Sequence, residues 1–324
     1  MSDQQKPSSA QVQWLTISID YQGQRLDNFL LAMLKGVPKT RIYSMMRKGE
    51  IRINRKRVKP DYRVVGGEEL RLPPVRLPER DAPPPVSAGL GRKIEDAILY
   101  EDDALMVINK PSGLAVHGGS GISLGLIESL RQLRPQLKML ELVHRLDRDT
   151  SGCILVAKKR SALRALHEAL RDGGVDKVYH ALVQGRWPSR HQHVNAPLKK
   201  NELRSGERVV RVDADGKPSL TEFKVLRRFA SYTLIEAKPI TGRTHQIRVH
   251  SQFAGHPIIG DDKYGVDEVN KAAKQYGLNR LFLHAAKLTF RHPVSGEVVS
   301  VKAEYDAELH AVIDMLSAEI ISAE

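Results

Sequence analysis

The stretch HRLDRDTSG, residues 144–152, sets His144, Arg145, Asp147, Arg148 and Asp149 side by side just before the apolar run CILVA. A carboxylate in such a place could stabilise or attack an electron-poor carbon, as the acids of glycosidases do, and then depart again. The plainer alternative is a turn, with Asp147 or Asp149 capping backbone amides and Thr150, Ser151 and Gly152 shaping the entry to a strand. On spacing alone the turn is favoured. Other constellations are weaker. Ser151, a histidine and Asp147 can be drawn as a triad, but the nucleophile elbow Gly-x-Ser-x-Gly is missing. The glycine-rich GGSGISLG (118–125) lacks the Gly-Lys-Ser/Thr ending of a P-loop and reads as a flexible loop. His180, His191, His193 and Cys153 have no paired metal-ligand spacing, so no metal is expected.

Charge points to a partner. The chain has 324 residues and a formal net charge of +13. Eleven lysines and arginines between Arg25 and Lys59 face only Asp27 and Glu50, so +9 of that charge sits in about a tenth of the chain. A single cysteine, Cys153, allows no internal disulfide, and its apolar neighbours predict a buried thiol. That fits a reducing, cytoplasmic setting. No apolar run approaches the roughly 20 residues of a membrane span, and MSDQQKPSSAQVQ reads as a polar tail rather than a secretory signal.

The elements that must position these residues fall into two groups. In RLDNFLLAML, Leu26, Phe29, Leu30, Met33 and Leu34 repeat with the period of one buried helix face, and Gly36 should end that helix. A second helix should run from Pro38 to Gly49, carrying Lys39, Arg41, Arg47 and Lys48, and IRINRKRV reads as a hairpin whose tip holds Arg55, Lys56 and Arg57. One basic helix face is usually just solvated; two helices and a hairpin of one sign suit a surface that tracks phosphates. Six prolines between 73 and 85, with Ser87, Gly89 and Gly91, predict an extended linker. The expected division is a disordered tail at 1–15, a small basic domain at 16–75, a linker at 76–92 and a large domain at 93–324. In that last part strand-like runs (AILY, LMVINK, CILVAKK, KVYHALVQG, TEFKVLRR, YTLIEAK, LFLHAAKLTF, VVSVKA) outnumber helices such as RSALRALHEALR, THQIRVHSQFA and AELHAVIDMLSAEI. Short polar links between several strands predict antiparallel pairing, hence an α+β fold with a mostly antiparallel sheet.

Several segments together carry a resemblance. GQRLDNFL, the Lys39-Thr40-Arg41 helix and GEIRINRKRVKPDYRVVGGEELRL resemble the S4 RNA-binding domain over about 23–72. KPSGLAVHGG (110–119), HRLDRDTSG, KVYHALV (177–183), PITGRTHQIRVH (239–250) and LFLHAAKLTFRHP (281–293) resemble, in order and approximate spacing, the pseudouridine synthases of the RluA type over about 95–305. The resemblance implies an enzyme that cuts the bond from uracil to ribose C1′, turns the base and rejoins it through C5, with no cofactor. By motif position Asp147 would be the catalytic carboxylate, Tyr179 would pack on the target base with its hydroxyl placed to accept a proton from C5, and Arg248, or failing it Arg243, would supply the cation that a carboxylate shielded from water requires. Arg145 would enter the stack vacated by a flipped nucleotide, and His144 and Lys110 would shape the substrate site. The implied partner is 23S ribosomal RNA or a large-subunit assembly intermediate, met by a monomer. The rivals are an inactive RNA-binding assembly factor and a metal-dependent nuclease; the second lacks the acidic cluster that Mg²⁺ needs.

Overall fold

The structure, a computed structural model, describes residues 11–75, 84–118, 124–190, 192–202 and 208–322. The chain forms two compact units, Met1–Ala82 and Pro83–Glu324. Most of GGSGISLG, together with His191, lies outside the described residues. No helix of the described residues is long and apolar enough to cross a membrane.

The first unit runs β1 (Gln13–Thr16), α1 (Leu26–Met33), α2 (Lys39–Lys48), β2 (Arg52–Ile53) and β3 (Glu69–Leu72), with antiparallel sheet order β1-β3-β2. Leu26, Phe29 and Leu30 meet Ile42, Met45, Ile51, Val64 and Leu70 in its core. β1 begins inside the span expected to be a tail, because its backbone completes the ladder of β3. Helix α1 stops before Gly36: Leu34 closes it by donating its N–H to the Leu30 carbonyl. Pro38 is the cap of α2 rather than its first residue, and Gly49 ends that helix in the left-handed conformation at φ 69°. The hairpin expected in IRINRKRV is present in its shortest form, a two-residue turn across which Ile53 and Lys56 each donate an amide to the other's carbonyl. Asn54 and Arg55 are both left-handed (φ 48° and 67°), which reverses the chain at once. β2 pairs with the distant β3 and meets the returning chain only at the bridge of Ile53 with Lys56.

In the second unit the expected linker is cut short by α3 (Ala88–Asp96). The Ser87 hydroxyl caps it by accepting from the Leu90 amide, and it buries Ile94. There follow β4 (Ile98–Glu101), β5 (Leu105–Lys110), α4 (Leu126–Leu133), β6 (Glu141–Leu142), β7 (Ser151–Ala157), α5 (Arg160–Arg171), β8 (Val175–Gln184), β9 (His193–Asn195), β10 (Leu198–Glu202), β11 (Arg208–Val212), β12 (Leu220–Arg228), β13 (Tyr232–Pro239), α6 (Gln246–Phe253), α7 (Asp267–Ala273), β14 (Leu283–Arg291), β15 (Val298–Lys302) and α8 (Ala307–Ser322). Among the described residues the main sheet has the order β4-β5-β7-β14-β8-β13-β12-β9, with β6 beside β7 and β15 beside β14, while β10 and β11 form a separate ribbon.

The pairing is antiparallel except between β7 and β14, which run parallel through Ser151–His284 and Gly152–Ala285. Gly152 is required there. At φ 107° it approaches the Ala285 backbone so closely that a Cβ would lie 2.4 Å from the Ala285 oxygen. β7 is buried along its whole length, consistent with its continuous apolar run, and Cys153 is buried within it, with desolvation pushing the thiol up to about 12.

Candidate active site

Residues 143–150 connect β6 to β7 and are anchored at both ends. Leu146 and Thr150 are buried, and the Thr150 amide donates to the Asp147 carbonyl, so the segment is indeed a turn. Residues 110–113 hold two of its other carbonyls. The Ser112 hydroxyl donates to Asp149 O at 2.8 Å, and Gly113 N–H donates to Arg148 O at 2.9 Å. Lys110, at the end of β5, is wholly buried and donates from Nζ to Pro111 O, Leu114 O and Arg148 O at 2.8–2.9 Å. Burial pushes its pKa down to about 7. Lys110 therefore faces backbone carbonyls, and the way it can shape the substrate site is by holding the turn from behind. Its type and motif position are equally compatible with touching substrate, and only its burial separates the two roles.

The turn presents Asp147 to a cleft of about 560 Å³, lined also by Arg145, Tyr179, Arg243, His245 and Arg248. A second, wider cleft of about 1310 Å³ shares Arg145, Asp147, His245 and Arg248 and extends past Arg148 to Arg280. The Asp147 side chain keeps 27% of its exposure, so the pocket expected to exclude water from it is partly open. Asp147 Oδ2 lies 3.5 Å from Arg248 Nη1 and 3.8 Å from His245 Nε2.

Arg248 is buried on the first turns of α6, and its principal partner is another acid. Its Nε and Nη2 donate to the two oxygens of Asp261, each at 2.7 Å, and the guanidinium lies 5.0 Å over the Tyr264 ring. Burial opposes the charge, but the Asp261 hydrogen bonds and the nearby Asp147 hold the Arg248 pKa above its ordinary value. Asp261 Oδ1 accepts further from the Lys263 and Tyr264 amides. The expected single pair is thus a chain, Asp261 to Arg248 to Asp147, with the strong contact at its buried end. Sequence reasoning does not single out Asp261; the one local signal is the acidic turn GDDKYG at 260–265.

The other candidates separate by contact. Tyr179 lies on β8 at 9% exposure, and burial first, then the Asp147 charge, raises its pKa, so it remains a neutral phenol. Arg145 is exposed and lines both clefts. His144 lines the smaller cleft, yet its Nε2 accepts from the Leu155 amide at 3.2 Å and burial lowers its pKa to about 4, so it is a neutral peg on β7. Arg243 lines the same cleft, but its Nε donates to Pro218 O, and Arg248 is the arginine that reaches Asp147. Asp149 pairs with its neighbour Arg148 at 2.9 Å and is 43% exposed. The drawn triad is not formed, since the Ser151 hydroxyl meets His284 Nδ1 at 2.8 Å while the histidine near Asp147 is His245. In the first unit Lys39, Arg41, Arg47, Lys48, Arg55, Lys56 and Arg57 are all exposed. No group of three or more His, Cys, Asp or Glu residues that could hold a metal ion occurs among the described residues.

Comparison with known proteins gives concordant results. A family model described as RNA pseudouridylate synthase matches residues 104–253, and one for the S4 domain matches residues 24–70. A ribosomal large subunit pseudouridine synthase C from Haemophilus ducreyi is 57% identical over 96% of this chain and 98% of its own, and one from Escherichia coli (strain K12) is 56% identical over the same shares. Among solved structures, human RNA pseudouridylate synthase domain containing 4 superposes with a TM-score of 0.59 at 28% identity, covering 71% of this chain and 96% of that one.

Proposed function

Because the chain belongs to the RNA pseudouridylate synthase family, and combines that domain with an S4 domain, we propose that it isomerises specific uridines to pseudouridine in the 23S RNA of the large ribosomal subunit, with Asp147 as the reacting carboxylate. The observation that carries this reading is the placement of Asp147. It stands on a turn clamped by Lys110 and Ser112, its Oδ2 faces Arg248 and His245, and it shares a cleft with Tyr179.

A base stacked in RNA does not present C1′ to a carboxylate, so the target nucleotide flips out, at a cost of about a few kcal/mol. Arg145, exposed between the two clefts, stacks in the vacated place and bonds phosphate. Asp147 meets C1′ as the C1′–N1 bond breaks; the base turns against the Tyr179 ring, C5 bonds to C1′, and the C5 proton is exchanged for one on N1. Being neutral, Tyr179 orients the base and passes that proton only as a relay. Nothing is oxidised or consumed, so the step calls for no cofactor. The basic first unit supplies RNA affinity through Lys39, Arg41, Arg47, Lys48, Arg55, Lys56 and Arg57, and a monomer working in the cytoplasm suffices for all of this.

Asp147→Asn and Asp149→Asn test the assignment. In single-turnover assays on transcribed 23S RNA, Asp147→Asn should bind normally and form no detectable pseudouridine, while Asp149→Asn should keep substantial turnover. Near-normal turnover by Asp147→Asn refutes the reading.

A further inference from the structure

His245 is unusual in its backbone and in what its ring touches. At the N-cap of α6 it is left-handed, with φ 53° and ψ 21°, one of the few non-glycine residues so placed among the described residues. That conformation costs about 1 kcal/mol or more and persists only where the surroundings impose it. Its Nδ1 lies 2.7 Å from the Tyr264 hydroxyl, and its Nε2 lies 3.8 Å from Asp147 Oδ2. Tyr264 in turn accepts the Val210 amide of β11 at 3.0 Å.

The proton positions follow. Were Nδ1 protonated in a neutral ring, Nε2 would turn a lone pair toward a carboxylate. With the Tyr264 O–H donating to Nδ1, the hydrogen bonds from the Val210 amide through Tyr264 to the ring are both satisfied, and the proton sits on Nε2, turned toward the Asp147 carboxylate. Burial favours the neutral ring, and Arg248 and Lys263 act in the same direction, against Asp147 and Asp261. Arg248 and His245 both face Oδ2, at 3.5 and 3.8 Å.

We propose that His245 is a positioning residue for Asp147: in its Nε2–H tautomer, fixed by Tyr264, it faces Oδ2 together with Arg248 and so orients the carboxylate toward the ribose. The inference rests on Asp147 being the reacting carboxylate. It also connects the β10–β11 ribbon to the site, since Val210 fixes Tyr264 and Tyr264 fixes the imidazole.

The full-length protein is assayed with large-subunit RNA transcribed with uridine tritiated at C5, reading tritium release in single turnover and RNA affinity in parallel. His245→Asn retains a residue type that tolerates the left-handed backbone but is too short to span Tyr264 and Asp147. It should lower the rate about tenfold at unchanged affinity. Tyr264→Phe should lower it severalfold, and the double variant should be no slower than His245→Asn, because both changes break one chain. Nitrogen-15 histidine spectra of the wild type should show His245, identified by its loss in His245→Asn, as the Nε2–H tautomer, and Tyr264→Phe should abolish that preference. An Nδ1–H tautomer, multiplicative rate losses, or full rate in His245→Asn beside an inactive Asp147→Asn overturns the inference alone. Full rate in Asp147→Asn overturns the reading beneath it. If His245→Asn does not fold, wild-type spectra with the resonance assigned through Tyr264→Phe still decide the tautomer.

Discussion

Asp261→Asn is the sharpest perturbation that the geometry offers, because the two carboxylates around Arg248 differ so much in burial. The Asp261 side chain is wholly buried, whereas that of Asp147 is 27% exposed. An asparagine oxygen in place of Oδ1 can still accept from the Lys263 and Tyr264 amides and from Arg248 Nη2. The amide nitrogen must then replace Oδ2, where it meets Arg248 Nε, another donor, at 2.7 Å. One charge-assisted hydrogen bond disappears, and a buried guanidinium is left without its counter-charge. Breaking a buried pair in this way costs about 3–5 kcal/mol, a large share of the roughly 5–15 kcal/mol that holds a domain folded. Asp147 becomes the remaining carboxylate beside Arg248, so the guanidinium should also draw the reacting group out of place. Urea unfolding should show the stability loss, and single-turnover assays at saturating RNA should show at least a tenfold slower step with affinity unchanged. Arg248→Met leaves Asp261 buried without its cation, so adding Asp261→Asn to it should recover part of the loss. A stability change below about 1 kcal/mol for Asp261→Asn, with wild-type rate, would refute the view that Asp261 sets Arg248 in position.

Three further outcomes are expected. Gly152→Ala should destabilise the second unit by at least about 2 kcal/mol, since the residue is at φ 107° and its Cβ would strike the Ala285 backbone, and calorimetry would detect the lowered melting temperature. Asp27 is held at about 2, below its ordinary 3.8, first by the Arg25 hydrogen bond and then by Tyr43 against burial. A lowered carboxylate pKa stabilises fully above 3.8 and loses that contribution as pH falls through about 2, so an acid titration of Asp27→Asn should differ in shape from wild type within that window. Replacing Arg47, Lys48, Arg55, Lys56 and Arg57 by glutamine should weaken RNA binding and flatten its logarithmic salt dependence by about 0.7–0.9 for each phosphate no longer neutralised, with an unchanged slope arguing against RNA binding by this surface.

Much of this arrangement is written locally. The i, i+3, i+4 repeat of Leu26, Phe29 and Leu30 specifies α1, Gly49 ends α2, and the unbroken apolar run after Gly152 specifies a strand buried on both faces, because these patterns arise from backbone periods acting over a few residues. The motif segments likewise single out Asp147, Tyr179, Arg145 and Arg248, which line one cleft. Other features depend on what the fold brings together. Arg248 and Asp147 stand 101 residues apart, and the stronger partner Asp261 occupies an acidic turn without helical or strand periodicity. Nothing in the Lys-Pro pair shows that Lys110 ends wholly buried against three carbonyls, nor does the THQIR segment show that His245 is left-handed beside Tyr264. The prolines near residue 80 suggest an extended chain as far as Arg92, yet the Ser87 cap and the burial of Ile94 start a helix at Ala88. Backbone propensity and hydrophobic period act through neighbours in the chain, whereas the protonation, burial and pairing of the charged groups are set by sheet order, above all by β14 entering parallel to β7 between two antiparallel partners, which only the tertiary structure decides.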